Sequence, residues 1–250
     1  ARLAGEGAKV VIAGRSEERA LGAMERLEVM APGRVAMCLA DMTEKAGVAA
    51  AVAATRDRFG SPDIAISNVI GHKVTADAEG PPPGFFRDVR TEEYAHEFRQ
   101  LALSAWWLAD AVLPDMRERR WGRIINVGSI VARESRWELP HILPNAVRPV
   151  AAGLYSKLAY RHAGSGVTFN SLLTGSIATE RNKAYFTWLA AERGMSYEEI
   201  DREGSQAIPL HRRGDPDEMA AVAAFLCSDV AGGISGQSIP IAGGVTRHIF

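Results

Sequence analysis

A few polar side chains stand just past strand-like apolar runs, where they are free to do chemistry. Arg15 follows Lys9-Val10-Val11-Ile12-Ala13-Gly14, Asp41 follows Val35-Ala36-Met37-Cys38-Leu39-Ala40, Asn68 follows Ile64-Ala65-Ile66-Ser67, and Ser129 ends Gly122-Arg123-Ile124-Ile125-Asn126-Val127-Gly128. A guanidinium such as Arg15 pairs with a phosphate through two parallel hydrogen bonds, the plain alternative being a surface Arg in a turn. The Ser129 hydroxyl serves a ligand or caps a backbone turn. His141, Asn145 and Arg148 come next. A His titrates near neutrality and can move a proton, although an exposed loop His bonded to backbone is the simpler reading of His141. Asn145 either orients a substrate or water or caps its own helix. Arg148 brings positive charge but is no ordinary proton donor, because a guanidinium pKa exceeds about 12. Glu134 and Glu138 share the loop before these residues and read as solvent-facing. No metal site is expected.

The elements that must position these groups follow from periodicity. Apolar β-type runs alternate with longer helical stretches, the pattern of βαβ units on a parallel sheet. Strands are expected at 9–13, 34–40, 63–68, 122–127, 167–172 and 238–241, with helices at 17–30, 45–59, 91–119 and 145–163. Thr91 reads as an N-cap followed by Glu92 and Glu93. Asp215-Pro216-Asp217-Glu218 is a capping box with Pro at the first helical position, opening a helix that ends near Ser228. Residues 176–206 read as irregular with short helices at 185–192 and 197–203, an insertion of the kind that forms a lid. Tyr185, Phe186, Trp188 and Tyr197 would wall an apolar pocket there or simply pack the lid. The expected fold is α/β, a Rossmann-type doubly wound parallel sheet in three αβα layers, with 1–250 as one domain. Ligands of such sheets bind outside the carboxyl ends of the strands, which are Gly14-Arg15, Asp41, Asn68, Gly128-Ser129 and Leu173-Thr174-Gly175.

Bulk properties narrow the classes. The 250 residues are 47% hydrophobic and 24% charged, enough for a large core in one α/β domain. A net charge of −1 gives no reason to expect nucleic acid or an anionic membrane as partner. No apolar run approaches a membrane span and no signal peptide is visible. Cys38 and Cys227 sit in apolar contexts and read as two buried thiols in a reducing cytoplasm.

Taken in order, these stretches resemble the short-chain dehydrogenase/reductase family over nearly the whole chain. The resemblance is carried by Arg15, Asp41-Met42-Thr43, 122–129, Gly175-Ser176-Ile177-Ala178-Thr179, and Ile208-Pro209-Leu210-His211-Arg212-Arg213-Gly214-Asp215-Pro216. The block Ile234-Ser235-Gly236-Gln237 through Ala242-Gly243-Gly244 completes it. The family's Thr-Gly-x-x-x-Gly-x-Gly loop and the strand before it are missing from these residues, and Ala1-Arg2-Leu3-Ala4-Gly5-Glu6-Gly7 reads as the tail of the helix behind that loop. The chain is therefore expected to be incomplete at its start, the missing strand lying between those at 9–13 and 63–68. The resemblance implies a nicotinamide cofactor. The family's acidic ribose discriminator is replaced by Gly14-Arg15, so NADP(H) is favoured over NAD(H). By the same resemblance Asp41 and Met42 flank adenine, Asn68 matches the second Asn of Asn-Asn-Ala-Gly, and Gly175, Ile177 and Thr179 lie about the nicotinamide carboxamide.

The resemblance breaks at the catalytic positions. Ser129 matches the Ser that hydrogen-bonds the substrate carbonyl. The family then expects Tyr-x-x-x-Lys, and none is present; Pro144 takes the Tyr place, Arg148 the Lys place, and Leu101 that of a catalytic Asn. Tyr155 and Tyr160 fall too far along the helix to replace the acid. This pattern resembles a divergent, 3-oxoacyl-carrier-protein reductase-like branch with Asn-x-x-Arg, here Asn145-Ala146-Val147-Arg148. The first expectation is an NADP(H)-dependent oxidoreductase acting on a small carbonyl or alcohol, with Ser129, Arg148, Asn145 and His141 at its centre and Arg148 also in reach of the ribose. The alternatives are an NADP-binding sensor or hetero-oligomer subunit, and non-redox proton abstraction or elimination. A cytoplasmic homo-oligomer, dimer or tetramer, is expected by family analogy.

Overall fold

The computed structural model describes residues 1–69, 90–134 and 142–247. The strands are β1 Val10–Gly14, β2 Val35–Leu39, β3 Ile64–Ser67, β4 Gly122–Ser129, β5 Val167–Thr174 and β6 Ser238–Ile241. Every pairing among them is parallel. The pairing forms two sheets rather than one, β1-β2 and β3-β4-β5-β6. The break falls between β1 and β3, the two strands expected to flank a further strand.

The helices are α1 Arg2–Gly5, α2 Glu17–Met30, α3 Lys45–Phe59, α4 Thr91–Phe98, α5 Ser104–Glu118, α6 Ile142–Arg161, α7 Glu180–Arg193, α8 Tyr197–Gln206 and α9 Pro216–Cys227. The expected α2 and α3 match to the residue. Asp215 caps α9 by accepting from the Asp217 N–H at 2.7 Å, and Glu218 reaches back to the Asp215 N–H at 2.7 Å.

Adjacent residues of β4 enter opposite cores, as the two-residue period of a strand requires. Ile124 packs with Ala105, Ala109, Val112, Tyr155 and Phe169 under α5 and α6. Ile125 packs with Leu172, Leu226 and Cys227 under α9. This double burial is why β4 and β5 read as nearly continuous apolar runs.

Several expectations shift. β4 and β5 each run two residues further than expected, through eight paired rungs from Gly122↔Val167 to Ser129↔Thr174. Arg90, not Thr91, is the N-cap of α4, because Glu93 accepts from the Arg90 N–H at 2.9 Å. The helix expected at 91–119 is interrupted by a π turn, Arg99–Leu103, stapled where the Ser104 hydroxyl donates to the Gln100 carbonyl. The extra residue seats Leu101 and Ala102 against Val147 of α6. The region 176–206 is more helical than expected, α7 alone spanning 14 residues. Cys38 is only half-buried; both thiols are free.

One turn decides whether β5 starts correctly. Gly166 holds φ +77°, and a Cβ there would lie 1.9 Å from the Arg120 carbonyl oxygen. Gly166→Ala therefore meets both left-handed strain and a backbone clash. We expect it to lower unfolding free energy by about 1–3 kcal/mol, read as an earlier urea midpoint.

Candidate active site

The parallel register sets the site. Ser129 ends β4 directly opposite Thr174, while Gly128 pairs with Leu173. The Thr174 hydroxyl donates to the Gly128 carbonyl at 2.9 Å and locks the two strand ends together. Ser129 is half-buried and precedes a 3₁₀ turn, Ile130–Ala132, yet its side chain makes no capping bond to that turn. Beside this end lies a small cavity lined by Ser67, Val69, Leu101, Ser104, Asn126, Val127, Gly128, Arg148 and Ala151. Strand pairing sets Ser67 against Asn126. The π turn brings in Leu101, and the packing of α6 brings in Arg148.

Arg148 is buried enough to change its chemistry. Burial pulls its pKa down, Glu97 pulls it back up and Arg181 pushes it down again, leaving it at about 10. It still carries a charge at neutral pH. Arg181, in the first turn of α7, is also lowered by burial and raised by Glu97. Glu97, near the end of α4, is fully buried. The sequence reading missed Glu97 and Arg181. Glu97 lies four residues before Leu101, so one helical turn links it to the site, but its charged neighbours disguise it as surface.

Asn145 is not the cap of its helix: α6 begins at Ile142, three residues earlier, and Asn145 lies half-buried within it, one turn from Arg148. His141 and Glu138 fall outside the described residues. Tyr155 is spent elsewhere. It is 1% exposed, donates its hydroxyl to the Ala105 carbonyl at 3.2 Å, and burial drives its pKa up. Glu134 accepts from the Arg247 N–H at 3.0 Å.

At the other sheet, Gly14 closes β1 with open space where a Cβ would stand, and the Arg15 side chain is 57% exposed. Its Nη1 lies 3.5 Å from Asp41 Oδ2, a weak exposed pair that leaves the fork available. Asp41 is mainly bound to Thr43, accepting from its N–H at 2.9 Å and its hydroxyl at 2.7 Å. Burial raises its pKa, but the Thr43 bonds and Arg15 outweigh that and hold it low. Met42 is half-buried beside it, and Asn68 is exposed just past β3. Gly175 lets β5 pass close to Ala242, whose Cα would lie 2.7 Å from an added Cβ. Ile177 is buried and bridges Gly214, while Thr179 caps α7 by accepting from the Asn182 N–H at 3.3 Å.

The aromatics of α7 pack one another. Tyr185 meets Phe186 and Trp188 at 5.2 and 5.9 Å between ring centroids. Arg213 stacks on Phe186 at 3.8 Å and bonds Asp201 at 2.8 Å and Ser176 at 2.5 Å, so one guanidinium ties α7, α8 and the loop after β5 together. Among the described residues no cluster of His, Cys, Asp or Glu is placed to hold a metal, and no helix is long and apolar enough to cross a membrane.

Comparison with known proteins identifies the family and agrees with the fold. The family described as Enoyl-(Acyl carrier protein) reductase matches residues 1–246. A 3-oxoacyl-acyl-carrier-protein reductase of Vibrio cholerae is 30% identical, over 97% of this chain and 89% of its own. L-Sorbose reductase from Gluconobacter frateurii, complexed with NADPH and L-sorbose, superposes with a TM-score of 0.88 at 25% identity, over 98% of this chain and 90% of its own. An NADPH-bound short-chain oxidoreductase from Pseudomonas aeruginosa PAO1, described as containing an atypical catalytic center, superposes at 0.82 with 26% identity, over 98% of this chain and 92% of its own. With the parallel α/β fold, the open strand ends and a match spanning residues 1–246, the chain belongs to the short-chain dehydrogenase/reductase family.

Proposed function

We propose that this chain is an NADP(H)-dependent oxidoreductase acting on a carbonyl or alcohol, in the divergent branch where Asn145-Ala146-Val147-Arg148 replaces the family's Tyr motif. The observation that carries it is that Arg148 and Gly128, the residue before Ser129 on β4, line one cavity. The NADPH-bound relatives with the same fold support the cofactor, and the Pseudomonas aeruginosa relative supports retention of NADPH beside an altered centre.

The two ends of such a cofactor fit residues at hand. The uncrowded Gly14 and exposed Arg15 suit a 2′-phosphate, with Asp41 and Met42 at the adenine and Asn68 along the path. Gly175, Ile177 and Thr179 suit the nicotinamide end, and Arg148 the nearby ribose. When bound, the cofactor supplies the hydride. The Ser129 hydroxyl holds the substrate oxygen by donating a hydrogen bond. Arg148 stabilises the negative charge that builds on that oxygen without giving up its own proton. His141, or a water oriented by Asn145, delivers the proton that completes the alcohol.

Residues 1–250 act as a single NAD(P)-binding domain with 176–206 as its lid. The half-exposed Trp106 on α5 and the exposed Val150 and Tyr160 on α6 support a homo-oligomer. Two free thiols fit a cytoplasmic setting.

The test is NADPH oxidation across ketones, aldehydes and β-ketoacyl thioesters. Turnover is expected, and Ser129→Ala should cut kcat/KM by about 10²-fold; NADPH binding without turnover on any of them would favour a sensor or a non-redox role. Arg15→Asp should weaken NADPH binding by about 10- to 100-fold while sparing NADH, measured by nucleotide fluorescence titration. Equal loss for both cofactors would mean that Arg15 does not read the 2′-phosphate.

A further inference from the structure

The rung that pairs Ser67 of β3 with Asn126 of β4 is polar on both strands. Asn126 lies two residues past Ile124, so the pair stands on the face that α5 and α6 cover. Ser104 from α5 and Arg148 from α6 meet the pair at one cavity, closed on its apolar side by Leu101 and Ala151. Ser67, Asn126 and Ser104 are each more than nine-tenths buried. Among the described residues, the side chains of Ser67, Asn126 and Arg148 make no hydrogen bond. The Ser104 hydroxyl donates to the Gln100 carbonyl, so its oxygen can only accept a further bond.

Buried polar groups without partners are rare, and where several converge on a cavity a water answers them. The cavity has a volume of about 10 Å³, the room that one water needs. Its walls suit one. Arg148 only donates, Ser104 only accepts, and Ser67 and Asn126 do either. We propose that this cavity binds a single internal water, which accepts a hydrogen bond from Arg148 and is held by Ser67, Ser104 and Asn126. Ser67 and Asn126 are then positioning residues. Through the water they fix the guanidinium from the sheet side and leave its other N–H groups for the ribose and the substrate oxygen. The water site stands on the geometry; its effect on turnover rests on the reductase reading.

The test joins high-resolution crystal structures to NADPH oxidation with the best ketone of the panel. The wild-type structure should show one ordered water within hydrogen-bond distance of Arg148 and Asn126. Its absence, or direct bonds joining Ser67, Asn126 and Arg148, overturns the site whatever the variants do. Ser67→Val fills the space with methyl groups. It should expel the water and lower kcat about tenfold or more, with the melting temperature unchanged or raised. Ser67→Asn puts an amide where the water stood and should recover most of that loss, which a merely structural role would not explain. An unchanged kcat in Ser67→Val, or equal losses in both variants, overturns the positioning role. Should Ser67→Val fail to fold, Ser104→Ala removes an acceptor without adding bulk and should lower kcat several-fold; an unchanged kcat there counts equally against the role. The two readings fail separately. Turnover by a wild type that holds no such water sinks this inference alone. The water in place with no ketone reduced sinks the reductase reading, and with it the positioning role, but leaves the water site standing.

Discussion

The eight-rung parallel pairing of β4 with β5 is the constraint on which the rest depends. Both strands are buried on both faces, so their register cannot slip by a residue without turning an apolar side chain from one core to the other. That register puts Ser129 level with Thr174, and Gly175 and Ile177 just beyond. The α5–α6 layer packs on one face and α9 on the other, each anchored by alternate residues of the same strands. The chemistry at the strand ends is as well placed as the core beneath it.

Above that platform, the helices supply charge rather than hydroxyls. In place of a Tyr and Lys pair, α6 offers Asn145 and Arg148, and the π turn offers Leu101. An apolar side chain at that wall stands beside a guanidinium that keeps one positive charge there. Low local dielectric strengthens every charge interaction there and makes an unanswered charge costly. Glu97 offsets much of that cost. It raises the pKa of both Arg148 and Arg181, against the desolvation that lowers them.

The segment 176–206 is organised by another largely buried guanidinium. Arg213 sits on the Phe186 ring and bonds Asp201 and Ser176, so both lid helices answer to one residue from the loop before α9. Tyr185, Phe186 and Trp188 pack as an aromatic cluster on α7.

Much of this was legible in the sequence, and the reasons are local. Strands buried on both faces announce themselves as apolar runs; α2 and α3 are bounded by turn residues, and Asp215-Pro216-Asp217-Glu218 is a cap in any context. Parallel order then dictates that Arg15, Asp41, Asn68, Ser129 and Gly175 lie at strand ends. The tertiary structure alone decided the rest. A π turn leaves no signature in Arg99-Gln100-Leu101-Ala102-Leu103, because it depends on how α4 and α5 seat against α6. α6 is already under way at Ile142, so Asn145 lies inside the helix rather than at its cap. Above all, the effect of Glu97 on Arg148 could not be read from spacing: their charges meet only where helices separated in sequence are brought together.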